Sequence, residues 1–182
     1  ECSWFRLQLP WSDWIAKEGV IDNMSKEHKI TVRDKIWLFT SRAHDDDVFL
    51  GKSYEERFSR WSRITPAEGA HMLGVNNTIM VVSDGIPVPF SKDAYGYMES
   101  FCRMKKVIWS VTGSNGFRNG NEEEFICELA EKYPNMAGAY LDDLFDKEET
   151  DEEKMCEQLQ EIRRRLDKAC RPMDLWATCY IK

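Results

Sequence analysis

The sequence lacks the signatures of several large classes of protein. Its six cysteines form no C-x-x-C pair and no other metal-ligand spacing, and it has only three histidines. No apolar run approaches the ~18 residues of a membrane-spanning helix, and no internal period of ~20–50 residues is visible. Lys and Arg number 25 against 32 Asp and Glu, which gives a net charge of −7. These absences exclude a structural zinc module, a membrane-spanning helix and a solenoid, and they disfavour nucleic acid as a partner.

The chain does have a globular composition. It is 182 residues long, with 42% hydrophobic and 12% aromatic residues, which is enough for one domain with a sizeable core. The cysteine spacing predicts a reduced, cytoplasmic protein, although Glu1 is compatible with a signal sequence that has been removed. We expect a single domain over residues 1–182. The pattern of secondary structure is less clear over the first 29 residues. Candidates there are a strand at Trp4–Leu9 and a helix at Trp14–Met24.

Short apolar runs alternate with capped helices along the rest of the chain. Ser53, Thr65, Asn121 and Thr150 each stand three residues before a Glu, the spacing of a capping box or its Asn analogue. After Thr150, apolar residues recur at steps of three and four and predict a long helix with arginines near its end. The strands are predicted at Ile36–Thr40, Thr78–Val82, Val107–Val111, Gly138–Leu141 and Leu175–Tyr180.

This alternation predicts an α/β fold built from parallel βα units. The strands are continuously apolar, which is typical of a sheet with helices on both faces. Five or six such units are too few for a complete eight-stranded barrel of ~250 residues, and no helix follows the last strand. We therefore expect a partial TIM-type (βα)8 barrel, which a partner chain or a missing C-terminal half would complete. A complete doubly wound sheet is the alternative.

Polar residues follow the predicted strands, where the chemistry of parallel α/β folds gathers. The most informative pair is Asp142 and Asp143, two adjacent carboxylates that end the buried run Gly138–Leu141. Because successive strand residues face opposite sides, at most one of the pair faces the barrel axis. The other candidate acids are Asp45 and Asp84, and the candidate substrate-binding residues are His44, Trp109, Ser110, Asn115, Trp176 and Tyr180.

Each candidate also has a structural interpretation. The His44–Asp47 run is compatible with a solvated turn, and Asp84 precedes Gly85 as in many tight turns. The Gly- and Asn-rich tract 113–121 lacks the Lys of a phosphate loop and the glycine spacing of a dinucleotide site, so we expect a mobile loop over the pocket. Trp37 and Trp109 are as compatible with the core as with a sugar-binding platform.

Several segments between residues 36 and 180 carry a resemblance to a known family. They are Ile36–Phe39 with His44–Asp47, Tyr54–Phe58, Thr65–Ala70, Leu73–Val75, Val107–Ser110, Asp142–Phe145 and Asp174–Trp176. They resemble bacterial proteins of the glycoside-hydrolase-like (βα)8 superfamily, including a poorly characterised group. The resemblance implies a proton donor at the end of the fourth barrel strand, which is similar in position to Asp142 or Asp143. It also implies a second carboxylate on a later strand that this sequence does not contain.

Three hypotheses of function follow. The leading one is a glycoside-hydrolase-like protein that acts on or binds a carbohydrate without a cofactor. Asp142 or Asp143 would be the general acid, and Asp45, Asp84 or an absent strand would supply the base or nucleophile. The second is a metal-dependent hydrolase in which His44 and nearby Asp carboxylates bind Mn²⁺, Mg²⁺ or Zn²⁺. The third is a non-catalytic module that binds a saccharide or a partner chain through the same rim.

Overall fold

The computed structural model describes residues 30–43, 63–83, 85–113, 116–143 and 152–178. The five strands within these ranges are β1 (Trp37–Thr40), β2 (Asn77–Met80), β3 (Lys106–Thr112), β4 (Met136–Leu141) and β5 (Asp174–Ala177). The α-helices in the same ranges are α1 (Pro66–Leu73), α2 (Lys92–Ser100), α3 (Glu122–Lys132) and α4 (Glu152–Leu166), and Val32–Lys35 and Phe101–Arg103 form short 3₁₀ helices. The five strands predicted between residues 36 and 180 are therefore present, with ends that differ by up to three residues, whereas the candidate strand Trp4–Leu9 lies outside the described residues.

The strands form one parallel sheet in the order β1-β2-β3-β4-β5. Helix α1 precedes β2, and the other three helices each connect two successive strands. The predicted α/β fold with parallel βα units is thereby confirmed. A doubly wound sheet reverses its strand order at a switch point. Because the described sheet has no reversal, that alternative does not fit.

The two faces of the sheet are buried in different ways. One face packs against the described helices, in a core that joins Trp109 of β3 and Leu141 of β4 to Phe125 of α3. The other, which we call the inner face, carries a second cluster of Ile79, Val81, Ile108 and Tyr140, with Trp37 and Ala137 packed against it. No residue of a described helix belongs to this second cluster. The expectation of helices on both faces was therefore wrong for the described residues.

The sheet is curled, with the inner face on its concave side. Adjacent strands lie ~4.8 Å apart, so the first and fifth strands of a flat sheet would be ~19 Å apart. Instead, the ring centroids of Trp37 on β1 and Trp176 on β5 are 4.6 Å apart. Phe39 on β1 and Tyr140 on β4 likewise meet edge to face at 5.8 Å. The side chains of Ile79, Ile108 and Tyr140 pack together on this inner face, so β2 is buried throughout and β3 is buried after Lys106.

Helix α1 begins as its sequence predicts. The Thr65 hydroxyl accepts from the Glu68 backbone N–H at 3.3 Å, and the Glu68 carboxylate accepts from the Thr65 N–H at 2.8 Å. The Thr65 N–H and the Thr65 hydroxyl both donate to the Glu68 carboxylate and lower the pKa of Glu68. Helix α3 also begins directly after its predicted cap, Asn121, but the Asn121 side chain makes no capping bond. Instead, the Glu122 carboxylate accepts from the backbone N–H groups of Asn119 and Gly120, so the predicted Asn-type capping box was wrong there.

Helix α2 was not predicted. Its cap is Ser91, whose hydroxyl accepts from the Ala94 N–H at 3.1 Å. Ala94 and Met98 are buried at a spacing of four, and Phe101 continues the same stripe. The sequence thus contains the cap and the apolar spacing of a helix. Gly96 and the polar residues around it make the apolar pattern too weak to predict the helix.

The Arg171 side chain stabilises the turn between α3 and β4 through hydrogen bonds. Its guanidinium donates to the carbonyl of Ala130, to that of Tyr133 at 2.6 Å and to that of Met136 at 3.0 Å. Carbonyl groups at the end of a helix have no partner within the helix, so a cation that reaches those of Ala130 and Tyr133 replaces water there.

We expect Arg171→Met to lower the free energy of unfolding by about 2–4 kcal/mol, because it leaves these half-buried carbonyls without their charged donor. Chemical denaturation measures this change. Arg164→Met is the matched control, since Arg164 pairs with Glu161 on the exposed face of α4, and exposed pairs contribute little. Equal losses in the two variants would contradict the proposed role of Arg171.

Candidate functional site

Asp142 directly follows the last residue of β4 and lies at the carboxyl end of the sheet. Its backbone is held by β3: its N–H donates to the Thr112 carbonyl at 3.3 Å, and its carbonyl accepts from the Thr112 hydroxyl at 2.7 Å. The residue is only 8% exposed. Its side chain shares the inner face with Tyr140, two residues earlier, since both are linked to Thr178. Asp142 is therefore the member of the acidic pair that faces the concave side of the sheet.

Thr178, directly after β5, lies next to the side chains of Asp142 and Tyr140. Its hydroxyl is hydrogen bonded to the Tyr140 hydroxyl, and it acts to lower the pKa of the Asp142 carboxyl. Its backbone N–H donates to the Leu141 carbonyl at 3.0 Å, which continues the pairing of β4 with β5 past the end of the strands. The hydrogen-bonded hydroxyls of Tyr140 and Thr178 therefore lie near the Asp142 carboxyl at the rim.

Burial raises the pKa of the Asp142 carboxyl, and the neighbouring negative charge of Asp143 raises it further. Hydrogen bonds from the Asp143 backbone N–H and the Thr178 hydroxyl act in the opposite direction but do not outweigh burial. Burial also raises the pKa of Tyr140, so its hydroxyl keeps its proton across the neutral range. Asp142 is therefore a carboxyl that retains a proton more readily than an ordinary aspartate.

Asp143 leaves the strand. Its φ of 49° lies in the left-handed region, which Asp tolerates better than most residues. This conformation ends β4 and directs the Asp143 backbone N–H to the Asp142 carboxylate. The two acids therefore differ in role: Asp142 is a buried carboxyl, and Asp143 contributes a backbone donor and a nearby negative charge.

Aromatic side chains lie on the same inner face. Trp176 on β5 is 36% exposed and Phe39 on β1 is 57% exposed, although both pack edge to face on other aromatic rings. Trp176 is the register partner of Tyr140. Tyr140 in turn stands two residues before Asp142. Exposed aromatic rings on the concave face of a sheet are available to stack on a ligand.

Two other predicted binding residues are buried. Ser110 is the register partner of Tyr140, but it is fully buried and its hydroxyl donates to the Thr112 carbonyl. Trp109 is 1% exposed and packs edge to face on Phe125 at 5.6 Å, within the core beneath the helices. Its position favours the alternative interpretation of a core residue.

The remaining predicted site residues lie outside the described residues. They are Asp45, His44, Asp84, Asn115 and Tyr180. Their roles stay predictions, as do those for residues 1–29. Among the described helices, none combines the length and the apolar character needed to cross a membrane.

Comparison of the chain with models of protein families, with curated proteins and with solved structures finds no match. The geometry of the rim is therefore the basis for any assignment of function.

A cavity of about 590 Å³ lies elsewhere, between the loop before α3 and helix α4. Arg118 and Arg165 line it, but Arg118 pairs with buried Glu123, and Arg165 pairs with Glu161 at 2.7 Å. These cations are thus already neutralised by carboxylates of the chain. Neither Asp142 nor Tyr140 lines the cavity, so we assign the cavity no part in the site. Among the described residues, no group of three or more His, Cys, Asp and Glu could hold a metal ion.

Tyr140 and Phe39 were not predicted as site residues. A signal for Tyr140 was present, since it stands two residues before Asp142 and residues so spaced share a face of a strand. Phe39 could not be found in this way, because it meets Tyr140 only through the curl that brings β1 over β4.

The raised pKa of Asp142 predicts a dependence of stability on pH. A carboxyl whose pKa is higher in the folded than in the unfolded protein stabilises the fold below the unfolded pKa. This contribution is lost as the pH rises through the folded pKa. We therefore expect Asp142→Asn to raise the melting temperature at pH 7 but to leave it nearly unchanged at pH 3.

Melting curves at the two pH values measure this difference. Asp93→Asn is the control, since it removes one exposed carboxylate from the first turn of α2 and should bring no gain at pH 7. An Asp142→Asn protein that is less stable than the wild type at pH 7 would contradict the interpretation.

Proposed function

We propose that this chain is a glycoside-hydrolase-like protein in which Asp142 is the general acid towards a carbohydrate. The observation that carries the proposal is a buried carboxyl of raised pKa at the carboxyl end of a parallel strand, on the concave face of a curled sheet. Hydrolysis of a glycosidic bond needs a group that still holds its proton at the working pH and delivers it to the leaving oxygen.

The surroundings of Asp142 support a carbohydrate as the ligand. Tyr140 and Thr178 supply hydroxyl groups next to the carboxyl, and Trp176 and Phe39 present partly exposed rings on the same face. A sugar has polar edges and apolar C–H faces, so it suits hydroxyl groups beside aromatic rings.

We also propose that the curled sheet is part of a (βα)8 barrel. Five parallel strands in consecutive order, with the described helices on the convex side, are the arrangement that such a barrel requires. The base or nucleophile would then come from Asp45, Asp84 or a further strand. That strand would belong to a C-terminal half of the barrel or to a partner chain.

Incubation of the protein with a panel of oligosaccharides and glycosides, followed by measurement of released reducing ends, tests the proposal. We expect release from at least one member of the panel. Binding without release would favour the non-catalytic module and would count against Asp142 as an acid. The absence of both binding and release across a broad panel would contradict the proposed function.

A further inference from the structure

A second surface lies at the amino ends of β1, β2 and β3, at the edge of the sheet opposite to the rim. The 3₁₀ helix Val32–Lys35 is held there by β2, because the Asn77 side chain donates to the Ile36 carbonyl at 3.0 Å. The Arg33 guanidinium lies against Gly74, which directly follows α1. The 3₁₀ helix, the end of α1 and the starts of the three strands therefore share one edge. We call the area that these segments form the amino-end surface.

The amino-end surface is basic, although the whole chain has a net charge of −7. Its exposed cations are Arg33, Lys35, Arg103, Lys105 and Lys106, of which the last three come from the start of β3 and the turn before it. Lys105 pairs with Asp34 at 2.6 Å, and this ion pair also ties the 3₁₀ helix to β3. Within the described ranges, the other four cations form no ion pair. The surface therefore keeps an excess of positive charge.

Large aliphatic side chains project from the same area. Val32 is 78% exposed, Met72 is 72% exposed and Leu73 is 62% exposed. Val32 adjoins Arg33 and Leu73 adjoins Gly74, so the contact between Arg33 and Gly74 brings these apolar groups close together. Exposed apolar side chains that are grouped among charged residues mark a surface that binds a protein or a membrane.

We propose that the amino-end surface docks on a bilayer that contains anionic phospholipid. The cations are attracted to the negative headgroups, and the aliphatic side chains enter the headgroup region without any segment that crosses the bilayer. The composition favours lipid over a protein partner. Lysine is depleted from protein–protein interfaces and aromatic residues are enriched in them, whereas three of the five cations are lysine and the projecting apolar residues are all aliphatic.

The acidic remainder of the chain does not prevent this docking. At physiological ionic strength the Debye length is about 8 Å, so a bilayer responds mainly to the charges nearest to it. Because the amino-end surface is opposite to the rim, docking leaves Asp142 directed away from the bilayer and open to solution. The proposal is independent of the proposed function, and its test needs no glycoside.

The test is co-sedimentation of the full chain with vesicles of phosphatidylcholine alone and of phosphatidylcholine mixed with phosphatidylserine. We expect binding to the mixed vesicles only, and weaker binding as salt is added. Each cation near the surface contributes about a fivefold gain in affinity. The triple variant Lys35→Glu/Arg103→Glu/Lys106→Glu should therefore lower the affinity by at least about a hundredfold. If this variant does not fold, the same three positions are changed to Gln.

Lys92→Glu/Lys154→Glu/Arg164→Glu is the matched control, because it changes the net charge equally but alters exposed cations on α2 and α4. It should keep most of the binding. Met72→Ser/Leu73→Ser should weaken binding to the mixed vesicles but leave its salt dependence unchanged, since it removes apolar groups and no charge.

Three results would overturn the proposal. The first is the absence of binding to the mixed vesicles at low salt. The second is an equal loss of binding in the two triple variants, which would show an effect of net charge rather than of this surface. The third is binding to soluble polyglutamate without binding to vesicles, which would assign the surface to an acidic polypeptide instead.

Discussion

Asp142→Asn is expected to lower the turnover of an active glycoside by about 10²–10⁴-fold while the protein stays folded. The amide has nearly the shape of the carboxyl, but it has no acidic proton to transfer. The loss should appear in kcat more than in KM, since the proton moves only as the bond breaks. Initial rates of reducing-end release at several pH values measure it.

The alkaline limb of the wild-type pH profile provides a second readout of the same group. A general acid must be protonated to act, so activity should fall as the pH rises through the Asp142 pKa. Because burial and the charge of Asp143 raise that pKa, activity should persist to a higher pH than an exposed aspartate would allow. In Asp142→Asn, this limb should be absent from the residual activity.

Asp143→Asn is the matched control, because it changes the adjacent acid by the same atoms. Its backbone N–H still donates to Asp142, and the loss of its negative charge should lower the Asp142 pKa. We therefore expect a smaller loss of turnover and an alkaline limb at lower pH. Wild-type turnover in both Asp142→Asn and Asp143→Asn would end the case for acid catalysis at this position.

The strands were predictable from the sequence because they are short, mostly apolar runs between polar segments. Those of β2, β3 and β4, such as Val107–Val111, do not alternate and are buried almost throughout. The edge strands β1 and β5 are more exposed. The curl of the sheet was not predictable, since it depends on contacts between residues far apart in the chain. Trp37 and Trp176 are 139 positions apart in sequence (176 − 37), yet their rings touch.

The orientation of Asp142 could not be derived from strand alternation alone. Counting from Met136, which faces the helices, would place Tyr140 and Asp142 on the helix side as well. The register between β3 and β4 shifts after Val107, where Ile108 pairs with Gly138 and Ala137 is the extra residue. Such a bulge reverses the faces of the residues that follow, and Tyr140 therefore joins the inner face. A local irregularity of the backbone thus decides which face the proposed acid occupies.

Gly113→Ala is expected to lower the free energy of unfolding by at least about 4 kcal/mol, an unusually large effect for one methyl group. Gly113 directly follows β3, and a Cβ built on it would lie 1.8 Å from the Val82 carbonyl oxygen. No rotation of a side chain relieves this overlap, because both sides of the contact are backbone. The ends of β2 and β3 would have to separate, and Gly113 would lose its backbone bond to the Phe117 carbonyl, now 2.9 Å long.

The same change should disturb the site, because Gly113 is next to Thr112, whose hydroxyl holds the Asp142 carbonyl. We therefore expect Gly113→Ala to lose turnover even below its melting temperature, which itself should fall by roughly 10 °C or more. Gly96→Ala in α2 is the matched control. A Cβ there has no neighbour within 4 Å, and alanine should stabilise the helix by about 0.5–1 kcal/mol. Similar melting temperatures for the two variants would refute the close approach of β2 and β3 at the rim. They would also refute the argument that this approach fixes the backbone that holds Asp142 on the inner face.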